Sequence, residues 1–344
     1  MTSADALVVN AGSTSVKLTR IVGGREVVAP VDLDAALRGS PPGSVLHRVV
    51  HGGERIAPAV IDDALVSELR GLTELAPLHQ PPALDAIGRC RQQWPDVTQV
   101  AAFDTAFHAT LPLAARTYAL PHRLRAKVRV YGFHGLSHAW ASGRVRAAVP
   151  DARRVLVAHL GGGQSLCGVL DGRSVVTTMG FTPLDGLVMA TRSGALDPGA
   201  LLWLAEHTDE DLPTVLERES GLAGLAGTGD MRVVVERAAA GDASAELAME
   251  VWVYRFLREA GGCVAALGGL DALVFTGGVG ENSAEVRRRA VEGLSWLGVA
   301  IGSGDVVGVN DPQDVTAPGA AVRTLIVHAR EDRQMLAEAE PLLG

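Results

Sequence analysis

Val8-Val9-Asn10-Ala11-Gly12-Ser13-Thr14-Ser15-Val16-Lys17-Leu18 is answered half a chain later by Val157-Ala158-His159-Leu160-Gly161-Gly162-Gly163-Gln164-Ser165-Leu166-Cys167. Each reads as an apolar strand ending in a polar residue, a Gly/Ser turn and a second apolar strand. Each then runs to a hairpin signal, Gly23-Gly24-Arg25 before Val27-Val28 and Asp171-Gly172-Arg173 before Val175-Val176. Matching positions are offset by 149 from Asn10 to His159 and by 150 from Ser15 to Ser165, in a chain of 344 residues. The pattern predicts a duplicated β-hairpin opening two related domains. Such turns gather backbone N–H groups and hydroxyls at one point, which is how proteins hold phosphate oxygens. Two of them facing one another across a cleft point to phosphotransfer.

The bulk composition agrees. The length suits two domains. With 47% hydrophobic residues, 40 Gly and only 4% aromatics, the core must be built from Val, Leu and Ala, as in an α/β protein. The net charge is −8, and no basic run or aromatic-interleaved basic stripe is read in the chain, which argues against a nucleic-acid partner. There is no signal-peptide pattern at the N-terminus and no apolar stretch of ~18 residues, so neither secretion nor a membrane is expected. Cys90, Cys167 and Cys263 are isolated and read as reduced, buried thiols of a cytoplasmic protein. Strands are expected at 45–50, 97–102, 272–275 and 322–327, and helices over 60–74, 83–93, 198–218, 231–268, 283–296 and from about Glu331. Alternating strands and helices, with polar Gly segments at strand ends, give two open α/β sheets with a cleft between them.

Three Gly-rich turns follow predicted strands, at Gly12, Gly161–Gly163 and Gly277–Gly280. None is GxxxxGK[ST] or GxGxxG, and one alone would be just a turn; their joint occurrence favours nucleotide phosphate. His47/His51 and His134/His138 have i,i+4 spacing, which raises a zinc reading. Neither pair carries the Glu of HExxH, and neighbouring arginines would repel a dication. Arg48 and Arg192, beside strand ends and Gly-rich turns, suit paired recognition of phosphate and carboxylate oxygens. Lys17, one of only two lysines, sits at the first turn motif.

Longer motifs then fall into one order: NAGSTSVKL at 10–18, HRVVHGGE at 47–54, LAPLH at 75–79, FDTAFH at 103–108 and YGFHGLSH at 131–138. HLGGG at 159–163, MGFTPLDGL at 179–187, TRSG at 191–194, GDMR at 229–232 and FTGGVGENSAEVR at 275–287 continue it. The sequence closely resembles the acetate kinase family, within the superfamily of sugar kinases, actin and heat-shock chaperone ATPases. The resemblance implies two duplicated ribonuclease-H-like domains, 1–150 completed by a C-terminal helix at 329–344, and 151–328. It also implies a homodimer and reversible, direct in-line transfer of phosphoryl from MgATP to acetate or propionate, giving acyl phosphate and ADP.

Residue by residue, the resemblance places Asn10, Ser13, Ser15 and Lys17 in the first phosphate turn, and His159 with Gly161, Gly162 and Gly163 in the second. Arg48 and Arg192 would clamp the carboxylate and the travelling phosphoryl, with His134 on the transition state and Asp104 beside the ion. Asn10 and Glu331 would hold Mg2+ directly or through water. Val50, Leu78, Phe133 and Pro183 would line the acyl pocket. Asp230, Met231, Arg232, Gly278, Val279, Gly280 and Asn282 would receive adenosine. The chain departs from the family pattern in Gly162 for Asn, Gln80 for Asn, Ala195 for Asp and Arg330-Glu331-Asp332 for Asn-Glu-Glu. HLGGG is shared with butyrate kinase relatives. A butyrate-type or pyrophosphate-dependent acyl kinase, and a catalytically silent nucleotide-binding regulator, are the alternatives.

Overall fold

In the computed structural model, which describes residues 5–12, 16–302 and 311–343, two six-stranded sheets share one plan. The first contains β1 (Asp5–Ala11), β2 (Val16–Val22), β3 (Arg25–Val27), β4 (Ser44–Val49), β5 (Ala59–Val60) and β6 (Thr98–Phe103). Their order is β3-β2-β1-β4-β6-β5: an antiparallel meander, then β4 and β6 parallel to β1, then an antiparallel edge. The second contains β7 (Arg154–Leu160), β8 (Gln164–Leu170), β9 (Arg173–Thr177), β10 (Ala272–Thr276), β11 (Gln313–Asp314) and β12 (Arg323–Ile326). Its order, β9-β8-β7-β10-β12-β11, repeats the first strand for strand. The chain is thus an α/β protein with a duplicated sheet.

The hairpin signals work as their residues require. Gly23 and Gly24, and Asp171 and Gly172, all take positive φ (61°, 74°, 50° and 81°), the two-residue turn whose twist matches paired strands. The register pairs Asn10 with Lys17 and His159 with Ser165, so Ser165 matches Lys17 rather than Ser15. The helical spacing over 231–268 resolves into two helices, Met231–Ala239 and Ala243–Leu267, because Gly241 turns left-handed and Asp242 caps the second. The spacing over 198–218 likewise yields only Pro198–His207 as a regular helix, followed by short turns. Gly277–Asn282 is a helical turn, not a loop.

Two compact units result: Met1–Ala109 with Phe133–Trp140 and Arg330–Gly344, and Thr110–Gly132 with Ala141–Ala329. The boundary therefore differs from a cut at 150. Residues 110–132 go with the second unit because the Thr110 hydroxyl donates to Ser174 O (2.9 Å) and Tyr131 N–H to Gly180 O (3.0 Å).

Within the first unit, β1 feeds two cores, since alternate side chains leave opposite faces. Leu7, Val9 and Ala11 pack with Leu33, Ala36, Ala83, Ala86 and Cys90 of the helices Leu33–Arg38 and Gln80–Gln93. Ala6 and Val8 pack on the other face with Leu136, Met335 and Ala339. The last two belong to the terminal helix Glu331–Ala339, so apolar burial is what carries Glu331 to the sheet. In the second unit, the helix Ala243–Leu267 lays Trp252, Phe256 and Ala260 against Leu156, Ala158 and Phe275.

Two histidines are locked into the first core. His47 on β4 and His108 after β6 are 1% and 2% exposed, and burial lowers both to about 4, with hydrogen bonds to Gln99 and Phe133 O pulling only partly the other way. They are neutral when folded and protonate on unfolding below pH ~6.5. Their stabilisation is therefore full above that value and lost as pH falls towards 4. Between pH 7 and pH 5 the folded state should lose about 2 kcal/mol per histidine. Urea midpoints measured at the two pH values check this; an unchanged midpoint would show that neither histidine is held neutral.

Candidate active site

Three parallel strands of the first sheet end side by side, and each delivers one polar residue there: Asn10 from β1, Arg48 from β4 and Asp104 just beyond β6. The carboxyl ends of parallel strands are where open α/β sheets place ligands. Arg48 grips Asp104 with two bonds, Nε to Oδ1 (3.1 Å) and an Nη to Oδ2 (2.5 Å). Its other Nη donates to Asn10 Oδ1 (3.1 Å) and lies 3.7 Å from Glu331 Oε2, while Asn10 Nδ2 donates to the same Glu331 oxygen (2.9 Å). Burial opposes the Arg48 charge, yet the Asp104 and Glu331 carboxylates outweigh it and hold the guanidinium above its ordinary range. Burial pushes the Asp104 carboxyl up, with Arg48 pulling it down. The two-pronged contact fixes the pair as guanidinium and carboxylate. These bonds use three of the five guanidinium N–H groups, leaving two for a ligand among the described contacts.

His134 stands beside this cluster in a left-handed backbone conformation (φ 57°), and its backbone bonds the Asp104 carboxylate. The next residue explains how the chain passes so close. Gly135 N–H donates to Asp104 O (2.9 Å), and a Cβ on Gly135 would overlap that oxygen. His108 braces the same segment through Phe133 O (3.0 Å). Phe133 and Val50 are buried, Leu78 is half-buried, and the Phe133 ring meets His51 edge-on at 5.7 Å. Gln80 is fully buried and clamps His51 through both backbone groups (3.3 and 3.1 Å), with a further bond to Leu69 O. Ser13 and Ser15 lie outside the described residues. Lys17 is exposed, on the face of the hairpin that it shares with Asn10.

The second sheet ends differently. His159 at the end of β7 leads into Gly161–Gly163, closed by Gly161 N–H on Gly163 O (3.1 Å); Gly162 is exposed, with nothing within 4 Å of a Cβ built there. From the end of β10, Gly277 N–H donates to Glu281 Oε1 (2.9 Å), and Glu281 also takes Ala329 N–H and His328 Nδ1. Gly278 and Asn282 are exposed, Val279 is half-buried, Gly280 is buried, and Asn282 donates to Gly278 O (2.8 Å). Asp230 caps the helix Met231–Ala239 and pairs with the exposed Arg232, whereas the Met231 side chain is core, 3% exposed, leaving only its backbone to a ligand. Arg192 donates to Pro183 O (2.9 Å); burial lowers its basicity and Glu217 offsets part of this. Gln80, His108, Gly135 and Glu281 were missed by sequence reasoning as functional supports, since nothing local in the sequence shows what they brace. Among the described residues no group of three or more His, Cys, Asp and Glu is placed to hold a metal ion.

A sequence profile of the Acetokinase family matches residues 43–338. An acetate kinase from Clavibacter michiganensis subsp. michiganensis is 44% identical over 311 residues, 87% of this chain and 78% of that protein. The crystal structure of a propionate kinase from Francisella tularensis superposes with a TM-score of 0.87 at 31% identity, covering 97% of this chain and 98% of the other. That of the acetate kinase from Entamoeba histolytica gives 0.89 at 27% identity, covering 98% and 99%.

The two glycines make opposite predictions. Gly135→Ala must push the Asp104 carbonyl or the helix aside and should cost ~3 kcal/mol or more, as forced overpacking does. Gly162→Asn adds a side chain into open space and should change stability by less than ~0.5 kcal/mol. Thermal or urea unfolding of both variants checks the pair.

Proposed function

The chain belongs to the acetokinase family, and from that premise we propose that it transfers phosphoryl reversibly between ATP and acetate or propionate, giving acyl phosphate and ADP. The observation that carries the reading is the Asn10–Arg48–Asp104–Glu331 cluster at the strand ends. A carboxylic acid of pKa near ~4 is already an anion at pH 7, so its oxygen attacks phosphorus without a general base. The obstacle is bringing that anion to a polyanion, and cations and fixed N–H donors remove it. The two spare N–H groups of Arg48 would take the acceptor carboxylate, Arg192 the phosphoryl oxygens, and His134 the transition-state phosphoryl. Asp104 is fully buried against Arg48. We therefore assign it the holding of that guanidinium rather than contact with substrate. Val50, Leu78, Phe133 and Pro183 would receive the acyl tail.

Asn10, with Lys17, Ser13 and Ser15 of the first turn, and His159 with Gly161–Gly163 would hold the phosphate chain. Adenosine would rest on Gly278–Gly280 and Asn282 beside Asp230, the Met231 backbone and Arg232. The open space over Gly278 favours a nucleoside over pyrophosphate. Glu331 offers a carboxylate and Asn10 an amide oxygen, the two side chains being joined through Asn10 Nδ2 on Glu331 Oε2 (2.9 Å), and Mg2+ is bound by one or two carboxylates plus substrate phosphates, so this oxygen chemistry fits that ion. When bound, it neutralises phosphate charge. A cytoplasmic setting fits the three free, buried cysteines. Among the described residues no helix is long and apolar enough to cross a membrane.

A homodimer is part of the same reading. The helix Pro198–His207 buries none of its residues and exposes Leu201, Leu202 and Trp203, the last two by 67% and 59%. Apolar residues in this number on one short helix suit contact with a second copy.

A hydroxamate assay for acyl phosphate, with ATP or pyrophosphate as donor and acetate, propionate and butyrate as acceptors, tests the reaction. Activity is expected with ATP on acetate and propionate, weaker on butyrate, and abolished by chelating the divalent ion. Arg192→Ala should lower kcat at least ~100-fold with circular dichroism unchanged. Turnover with pyrophosphate and none with ATP would falsify the donor assignment. Leu202→Glu with Trp203→Glu should convert the dimer to a monomer on light scattering; an unchanged mass would place the interface elsewhere.

A further inference from the structure

From Thr105 to Pro150 the chain carries no Asp or Glu, yet Arg116, Arg123, Arg125, Lys127 and Arg129 fall within fourteen residues of it. The reading of a chain without a basic run is thereby corrected: the acidic total concealed a local excess. The segment is closed on itself, with Val130 N–H donating to Arg116 O (3.0 Å) and the N–H groups of Leu124 and Arg125 returning to Pro121 O (2.8 and 3.1 Å). It is fastened to its own unit where Phe181 N–H donates to the Tyr118 hydroxyl (2.9 Å) and Tyr131 N–H to Gly180 O. Within it opens a cavity of about 260 Å3, lined by Arg116, Thr117, His122, Arg125, Val128 and Arg129.

Several arginines elsewhere are answered by carboxylates, Arg153 by Asp171, Arg154 by Asp271 and Arg288 by Glu285. Among the described residues no carboxylate lies within 4.0 Å of a side-chain nitrogen of Arg116, Arg123, Arg125 or Lys127. Arg116 and Arg129 are half-buried, and Arg123, Arg125 and Lys127 are exposed. Like charges gathered around one cavity repel, and an anion seated among them removes that cost. Guanidinium forks match the paired oxygens of phosphate and carboxylate groups. The cavity is smaller than the range usual for drug-sized ligands, which suits a compact anion rather than a nucleotide.

We propose that the loop 116–129 is a binding site for a small polyanion bearing two or more phosphate or carboxylate groups. None of its lining residues belongs to the machinery assigned to phosphoryl transfer. Calorimetric titration of the full chain, held in saturating MgADP, with inorganic pyrophosphate in one arm and citrate in the other separates the two sources of charge. One equivalent of at least one anion should bind, weakening at least ~10-fold between 0.05 and 0.3 M salt (both values about the usual working range) as screening grows. The Arg116→Gln, Arg125→Gln double variant should bind that anion at least ~10-fold more weakly, since the paired N–H donors are gone. Its melting temperature and kcat should match the unaltered chain. Binding of neither anion, or equal affinity in the double variant, would overturn the proposal. Pyrophosphate lodged in the nucleotide turns gives the second of these results, so the two sites are told apart even if MgADP does not bind.

Discussion

The Arg48 guanidinium holds together the ends of three strands and the start of the last helix. Its bonds to Asp104 and Asn10, with Glu331 3.7 Å away, tie residues far apart in sequence into one buried polar group. Removing one partner from such a pair costs about 3–5 kcal/mol, because the remaining charge is left in a poor solvent. The cluster is thus a structural clasp that leaves two guanidinium N–H groups unused among the described contacts. Preorganisation follows from the same bonds: a guanidinium already fixed loses little freedom when an anion arrives.

Duplication supplied the same frame twice, and the two copies were finished differently. In the first sheet the strand ends carry charged and amide side chains, Asn10, Arg48 and Asp104. In the second, the ends of β7 and β10 run into Gly161–Gly163 and Gly277–Asn282, where exposed backbone and a helical turn dominate. Side chains suit selective handling of a small acid, whereas backbone N–H groups suit phosphate oxygens, which offer many acceptors and little shape. One topology therefore carries two kinds of strand-end surface without any change in strand order.

The departures from the family pattern separate in the same physical terms. Gln80 is taken up wholly in clamping His51 and Leu69, so its longer amide meets a packing need. Gly162 stands in open space and removes a side-chain amide without a structural return. Ala195 gives its N–H to Gly186 O, a contact any residue makes, and nothing in the structure explains the loss of the Asp there.

By itself the sequence determined the duplicated hairpins, because turns that need positive φ and strands buried on both faces leave local marks: Gly23-Gly24 and Asp171-Gly172, and the unbroken apolar run from Ala6 to Val9. It also marked the order of the motifs and the residues at strand ends. It did not show that Ser165 matches Lys17, since register depends on how many residues a turn uses. Nor did it show that Met231 is core, that 110–132 goes with the second unit, or that Glu281, Gln80 and His108 brace loops distant in sequence. Tertiary structure alone decided which carboxylate Arg48 grips, because Asp104 and Glu331 reach it through long-range strand pairing and the burial of Met335 and Ala339. It also gathered Arg116, Arg125 and Arg129 around one cavity, which no count of charges over the whole chain reveals.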